Sequence, residues 1–164
     1  MARFKQFFDA RVSSAAAILI IAAAAFAFGL PESAAEVAVT VDKDLVIPIS
    51  GVSEIATFYP VEVEGTRLEV IAVTASDGTI RTAFNTCQVC YDSGRGYYKQ
   101  QGSVLVCQNC GNRFKMDQVE ISKGGCNPVP IFKGNKTADD KNITIPYSFL
   151  QEAKVIFGNW KREY

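Results

Sequence analysis

The sequence predicts a mainly β fold with one C-terminal helix, an α+β arrangement in which a small antiparallel unit carries two turns with paired cysteines. Three observations predict it. Apolar residues alternate with period two from Glu36 onward, turn dipeptides separate the alternating runs, and helical spacing is confined to the end of the chain.

The chain opens differently. "MARFKQFFDAR" carries Arg3, Lys5 and Arg11 against Asp9, and Val12 to Leu30 is nineteen residues without a charge. Basic then apolar is the order of a secretory signal, and Ser33-Ala34-Ala35 offers small residues for cleavage before Glu36. The run is also long enough to span a bilayer if left uncut, since roughly 18 apolar residues suffice. Residues 1–35 therefore read as a signal peptide or membrane anchor helix, and 36–164 as an exported domain. The basic end stays inside, so the body is extracytoplasmic, either periplasmic or held to the membrane by its N-terminal segment.

In "EVAVTVDKDLVIPIS", Val37, Val39 and Val41 alternate with smaller or polar neighbours, and "LVIPI" follows. Pro48 cannot donate to a ladder, which marks the second run as an edge strand. "ATFYPVEVEGTRLEVIAVTASDGTIRTAF" supplies three further strands, divided at Glu64-Gly65 and at Asp77-Gly78, the latter a two-residue hairpin signal. "GYYKQQGSVLVC" predicts another hairpin turning at Gly102. "KGNKTADDKN" is polar and turn-rich and predicts an exposed loop. After Pro146, Ser148 with Gln151 three residues on forms a capping box. Leu150, Ala153, Ile156 and Phe157 then share one face of an amphipathic helix that docks on the sheet.

Composition excludes several function classes. With 17 basic and 17 acidic residues there is no net charge and no basic stripe, which argues against nucleic acid as a partner. The chain has no histidine, so it holds no Ser-His-Asp or Cys-His catalytic set, no mixed cysteine–histidine zinc site and no C-x-x-C-H haem attachment. No paired carboxylates or phosphate-binding glycine loop stand at motif spacing. The chain therefore reads as a metal-binding or electron-transfer protein rather than a catalyst with its own substrate.

The chemistry lies in "FNTCQVCYDSGRGYYKQQGSVLVCQNCGNRF". Cys87 and Cys90 form one C-x-x-C, Cys107 and Cys110 a second after sixteen intervening residues, and Cys126 follows in "GGCNP". Two residues between cysteines let one tight turn present both sulfurs to one centre, and Gly111 suits the positive φ such a turn needs. The spacing fits a four-thiolate metal site. Spacing does not choose among zinc, Cu(I) and an iron–sulfur cluster. Two features pull away from a structural zinc ribbon: the extra thiol Cys126, and export. Disulfides, or a C-x-x-C dithiol oxidoreductase, are the alternatives for an exported chain. Tyr91, Tyr97, Tyr98 and Phe114 read first as core under the hairpins and second as a shield for the centre, and Asp92 and Arg95 as surface charges.

On "DGTIRTAFNTCQVCYDSGRGYY", "GSVLVCQNCGNRFKMDQV" and "GGCNPVPI", over roughly residues 50 to 157, the chain resembles the membrane iron–sulfur-containing FtrD-like domain family of prokaryotes. The resemblance implies an exported, membrane-associated protein in which Cys87, Cys90, Cys107 and Cys110 hold an iron–sulfur centre, with Cys126 a fifth ligand or a neighbouring thiol. It also implies one-electron transfer serving bacterial iron uptake, with a redox protein or an iron permease complex as partner. The order of strand, C-x-x-C, aromatic hairpin, second C-x-x-C and glycine-rich turn is also similar to the layout of a Rieske domain, with cysteine where histidine would stand. Four anionic ligands would then set the potential below the Rieske range of about −150 to +300 mV, which suits donating electrons. A zinc or Cu(I) binding module is the alternative from another class.

Cys126→Ser is expected to leave a four-thiolate centre intact, measured as metal per chain. Loss of the metal in that variant would make the fifth thiol a ligand.

Overall fold

The computed structural model describes residues 37–121 and 123–162. The apolar run from Val12 to Leu30 and the signal or anchor read in it lie outside the described residues. Among the described residues, eleven strands form three sheets. In chain order they are β1 (Thr40–Val41), β2 (Leu45–Pro48), β3 (Thr57–Val63), β4 (Thr66–Thr74), β5 (Ile80–Cys87), β6 (Tyr98–Gln101), β7 (Val104–Cys107), β8 (Arg113–Lys115), β9 (Pro128–Pro130), β10 (Thr137–Ala138) and β11 (Asn142–Ile145). The central sheet has the order β1-β3-β4-β5-β9, and two three-stranded sheets, β10-β11-β2 and β6-β7-β8, accompany it. All pairings are antiparallel except β1 with β3.

β4 and β5 lie inside the central sheet and are covered on both sides, so their residues are buried almost continuously rather than alternately. Successive side chains serve two cores. Phe84 joins Leu45, Ile47, Val61, Ile145, Leu150 and Phe157 in a core shared with the C-terminal helix. Ala83 and Cys87 join Ile71, Tyr98, Leu105, Phe114 and Met116 in a second core, which also contains Cys90 and Cys107. Cys87, Cys90 and Cys107 therefore form one end of a hydrophobic core rather than a separate module.

The turns follow the residues that favour them. Glu64 and Gly65 both have positive φ, at 48° and 76°, which suits the two-residue link between β3 and β4. Gly102 turns β6 into β7 at φ 59°. Pro48 falls on β2, at the edge of its sheet, as its missing N–H requires.

Four local features differ from the sequence reading. The Asp77-Gly78 hairpin is longer than a two-residue turn: Ala75 N–H reaches Thr79 O at 2.8 Å and Gly78 N–H reaches Ala75 O at 2.9 Å, with Gly78 at φ 79°. The first valine run pairs only at Thr40 and Val41, and Val39 and Val41 are exposed, because β1 is an outer strand that needs no apolar face. The polar segment 133–142 is not all loop. It contains β10, which Asp139 helps fold back onto β11 by accepting the N–H groups of Lys141 and Asn142, each at 2.7 Å. The capping box at Ser148 does not form. The helix, α1 (Tyr147–Ala153), starts after Pro146, and Asp44 Oδ1 accepts the Tyr147 N–H at 2.8 Å from a distant part of the chain. It then tightens into a 3-10 turn over Lys154–Phe157, and helix and turn together bury Leu150, Ala153 and Phe157.

Candidate metal centre

Each cysteine pair begins where a strand stops. β5 ends at Cys87, whose N–H donates to Gly96 O at 2.6 Å, and β7 ends at Cys107, whose N–H donates to Asn112 O at 3.0 Å. In both, a carbonyl from beyond the turn replaces the next strand partner and folds the chain back over the sulfur. In the first turn, Cys90 N–H donates to Cys87 Sγ at 3.4 Å, and the Ser93 hydroxyl donates to Cys90 O at 2.7 Å. Gly96 packs so closely on this turn that a Cβ there would lie 2.4 Å from Cys90 O. In the second turn, Gly111 adopts φ 72° and donates its N–H to Cys107 O at 2.9 Å. The sequence reading of Gly111 concerned this same positive φ.

The third loop is fastened to the other two. Gly124 and Gly125, at φ 89° and 73°, carry the chain into Cys126. Gln88 N–H donates to Asn127 O, and Gly124 N–H to Gln88 Oε1, both at 3.0 Å. The Cys126 carbonyl accepts the Tyr98 hydroxyl at 2.7 Å and Asn112 Nδ2 at 2.9 Å. Upstream, Glu120 accepts Thr82 N–H at 2.9 Å and pairs with Lys136 at 2.5 Å, which ties the approach to this loop to β5. From the C-terminus, Lys161 N–H donates to Gly94 O at 2.9 Å and Asn159 Nδ2 bonds Asp92, bracing the first turn. Asp92, read as a surface charge, is exposed and also accepts this bond.

The structure brings all five sulfurs together in two overlapping groups. Those of Cys87, Cys90 and Cys107 lie within 4.8 Å of one another, as do those of Cys90, Cys110 and Cys126, so Cys90 belongs to both. The first group is buried, whereas Cys110 is exposed and Cys126 half-buried. None of the five is in a disulfide. A tetrahedral ion with metal–sulfur bonds of about 2.3 Å holds its sulfurs about 3.8 Å apart, so a small contraction brings either group within reach of a metal. The donor set, thiolate sulfur alone, is what zinc, Cu(I) and iron–sulfur clusters select. The site fits an iron–sulfur group.

The electrostatics of the five thiols is uneven. Burial opposes ionisation of Cys87, but hydrogen bonds from Tyr98 and from the Val89 and Cys90 N–H groups outweigh it and hold this thiol below its ordinary value. The Asn112 N–H does most to lower Cys110. Burial pushes Cys107 up to about 12 and also raises Cys90. Cys126 is pushed to about 12, chiefly by its hydrogen bond with Cys110 and then by burial. Ionisation is thus favoured at Cys87 and Cys110 relative to Cys90, Cys107 and Cys126, and a bound metal ion would offset the cost of negative charge at the latter three.

Sequence reasoning found the five cysteines and missed what holds them. Gly96, in "GRGYY", and Asn112, directly after Cys110-Gly111, stood in view as small or amide residues beside the motifs. Tyr98 and Phe114 are buried in the core, whereas Tyr91 is exposed at the rim of the first turn. The model of one protein family, described as membrane iron-sulfur containing protein FtrD-like, matches residues 53–157, which include all five cysteines. No curated protein and no solved structure matches the chain. Among the described residues no helix is long and apolar enough to cross a membrane.

Gly96→Ala is expected to destabilise the fold by about 1–3 kcal/mol, the usual cost of overpacking, because the Cys90 carbonyl it would strike is backbone. Chemical denaturation measures this, and faster alkylation of Cys90 than of Cys107 in the variant would localise the damage to the first turn.

Proposed function

We propose that this chain, which belongs to the family of FtrD-like membrane iron–sulfur containing proteins, is an exported one-electron carrier with its centre in the thiol cluster. The observation that carries the reading is the gradation of the sulfurs, from buried Cys87, Cys90 and Cys107 to exposed Cys110. Cys87, Cys90, Cys107 and Cys110 would hold the cluster, and Cys126 stands beside Cys90 and Cys110 as a fifth thiol. When bound, the cluster supplies reversible uptake of a single electron.

The chain's own residues serve that use. The apolar side chains of the second core, Leu105, Phe114 and Met116 among them, keep water from the inner sulfurs. Peptide N–H groups directed at Cys87, Cys107 and Cys110 stabilise negative charge on the ligands, which raises the potential relative to bare thiolates. Exposure at Cys110 leaves an edge across which an electron can pass to a docked redox protein. The basic N-terminal residues and the apolar run to Leu30 support export and retention at a membrane. Service to iron uptake, beside a permease, follows from family association.

A zinc or Cu(I) binding module is the second reading, favoured by the presence of three thiols in each group, which suits soft cations without inorganic sulfide. Metal and acid-labile sulfide analysis of the chain purified without oxygen separates the two. The proposal expects iron with matching sulfide and visible charge-transfer bands that bleach on reduction. A colourless protein with stoichiometric zinc, or Cu(I) without sulfide, would overturn it.

A further inference from the structure

The five thiols are not equally within reach of an oxidant. Cys87, Cys90 and Cys107 are 0%, 8% and 1% exposed, whereas Cys110 is exposed and Cys126 half-buried. The sulfurs of Cys110 and Cys126 lie within 4.8 Å of each other, in the outer of the two groups. Cys107 and Cys110, although they share one C-x-x-C, fall in different groups. The pair at the surface therefore joins two loops instead of following the motif.

Bonded sulfurs stand about 2.0 Å apart, so the main chain must give a little for this pair to close. The fold lets it do so here. Cys110 lies in the turn between β7 and β8, and Cys126 stands two residues before β9 begins at Pro128. Gly124 and Gly125, both exposed and at positive φ, lead into Cys126, whose carbonyl is held by two side chains. One of these is Asn112, two residues after Cys110, and its bond at 2.9 Å already keeps the second and third loops side by side. The inner thiols are less free. Cys87 and Cys107 are the last residues of β5 and β7, and the Cys90 turn is packed against Gly96.

We propose that Cys110 and Cys126 are the oxidation site of the thiol centre, joined into a disulfide between the second and third loops by a low-molecular-weight disulfide. Export, as proposed above, places the chain where such oxidants persist. The surface thiolate of Cys110 attacks one sulfur of the oxidant, breaks its S–S bond and releases half of it as a thiol after proton uptake. The Cys126 thiolate then attacks the Cys110 sulfur and expels the second half. The two cysteines lose two electrons and two protons, and the oxidant leaves as two thiols. The link itself needs no metal. Its consequence rests on the reading of Cys110 as a ligand: the linked form keeps Cys87, Cys90 and Cys107 as thiols but lacks the outer ligand, so the centre does not assemble until a reductant reopens it.

The full chain, purified without oxygen and stripped of metal by a chelator, is treated with oxidised glutathione. Remaining thiols are alkylated and the peptides mapped by mass. A sample that keeps its metal is treated in parallel and decides the result where circular dichroism shows the stripped chain unfolded. The first link is expected between Cys110 and Cys126, as a peptide pair two hydrogens lighter than its reduced parts, with Cys87, Cys90 and Cys107 alkylated. Cys126→Ser is expected to retain glutathione on Cys110, since nothing expels it. A first link inside either C-x-x-C pair, or one that uses Cys90, would overturn the proposal. So would Cys126→Ser with no adduct on Cys110. Iron and sulfide are then offered without oxygen to the linked and the reduced protein. The linked protein is expected to lose iron uptake and to regain it with dithiothreitol, and equal uptake by both forms would overturn the closure. If the reduced parent takes up no iron, the electron-transfer reading fails separately, and the position of the first link decides this proposal alone.

Discussion

The cysteine end of the molecule depends on one repeated constraint: a strand that stops at a cysteine because the next carbonyl its N–H meets comes from a loop. Gly96 O does this for Cys87 and Asn112 O for Cys107. Had either strand continued, successive side chains would have pointed to opposite faces and only alternate sulfurs could have met. Stopping the strand lets the next three residues wrap, so that both sulfurs of each pair face the same place. The cost falls on the residues that must approach closely or turn left-handed, Gly96 and Gly111, and there glycine is the residue that fits.

Placing the thiols at the end of a hydrophobic core has two consequences. It fixes the inner sulfurs, since Cys87 and Cys107 are packed like any apolar core residue. It also makes negative charge there expensive, as the upward displacement of Cys107 and Cys90 by burial illustrates. A site arranged this way is poor at holding free thiolates and good at holding a cation that several thiolates can share. The outer sulfurs, Cys110 and Cys126, lie where that same centre meets water.

Much of this was legible in the chain because the signals were local. Strand alternation, the Glu64-Gly65 and Gly102 turns, the edge position of Pro48 and the cysteine spacing each depend on neighbours in sequence. What sequence did not reveal depends on partners far along the chain. The helix start is satisfied by Asp44 rather than by Ser148, an arrangement no local capping rule contains. The short strand at Thr137 and Ala138 forms because β11 offers it an edge, although its own residues favour a turn. The convergence of Cys126 on the two C-x-x-C turns needs Tyr98, Asn112 and Gln88 to fasten three loops, and nothing in the spacing of "GGCNP" encodes those bonds.

The central claim is that three hydrogen-bonded loops deliver a ligand set made of sulfur alone to one iron-containing centre. X-ray absorption at the iron edge of the protein isolated without oxygen tests this most directly. The account predicts a first shell of sulfur only, with a neighbouring iron in the second shell. Nitrogen or oxygen neighbours in the first shell, or iron absent from a folded and fully reduced protein, would contradict it.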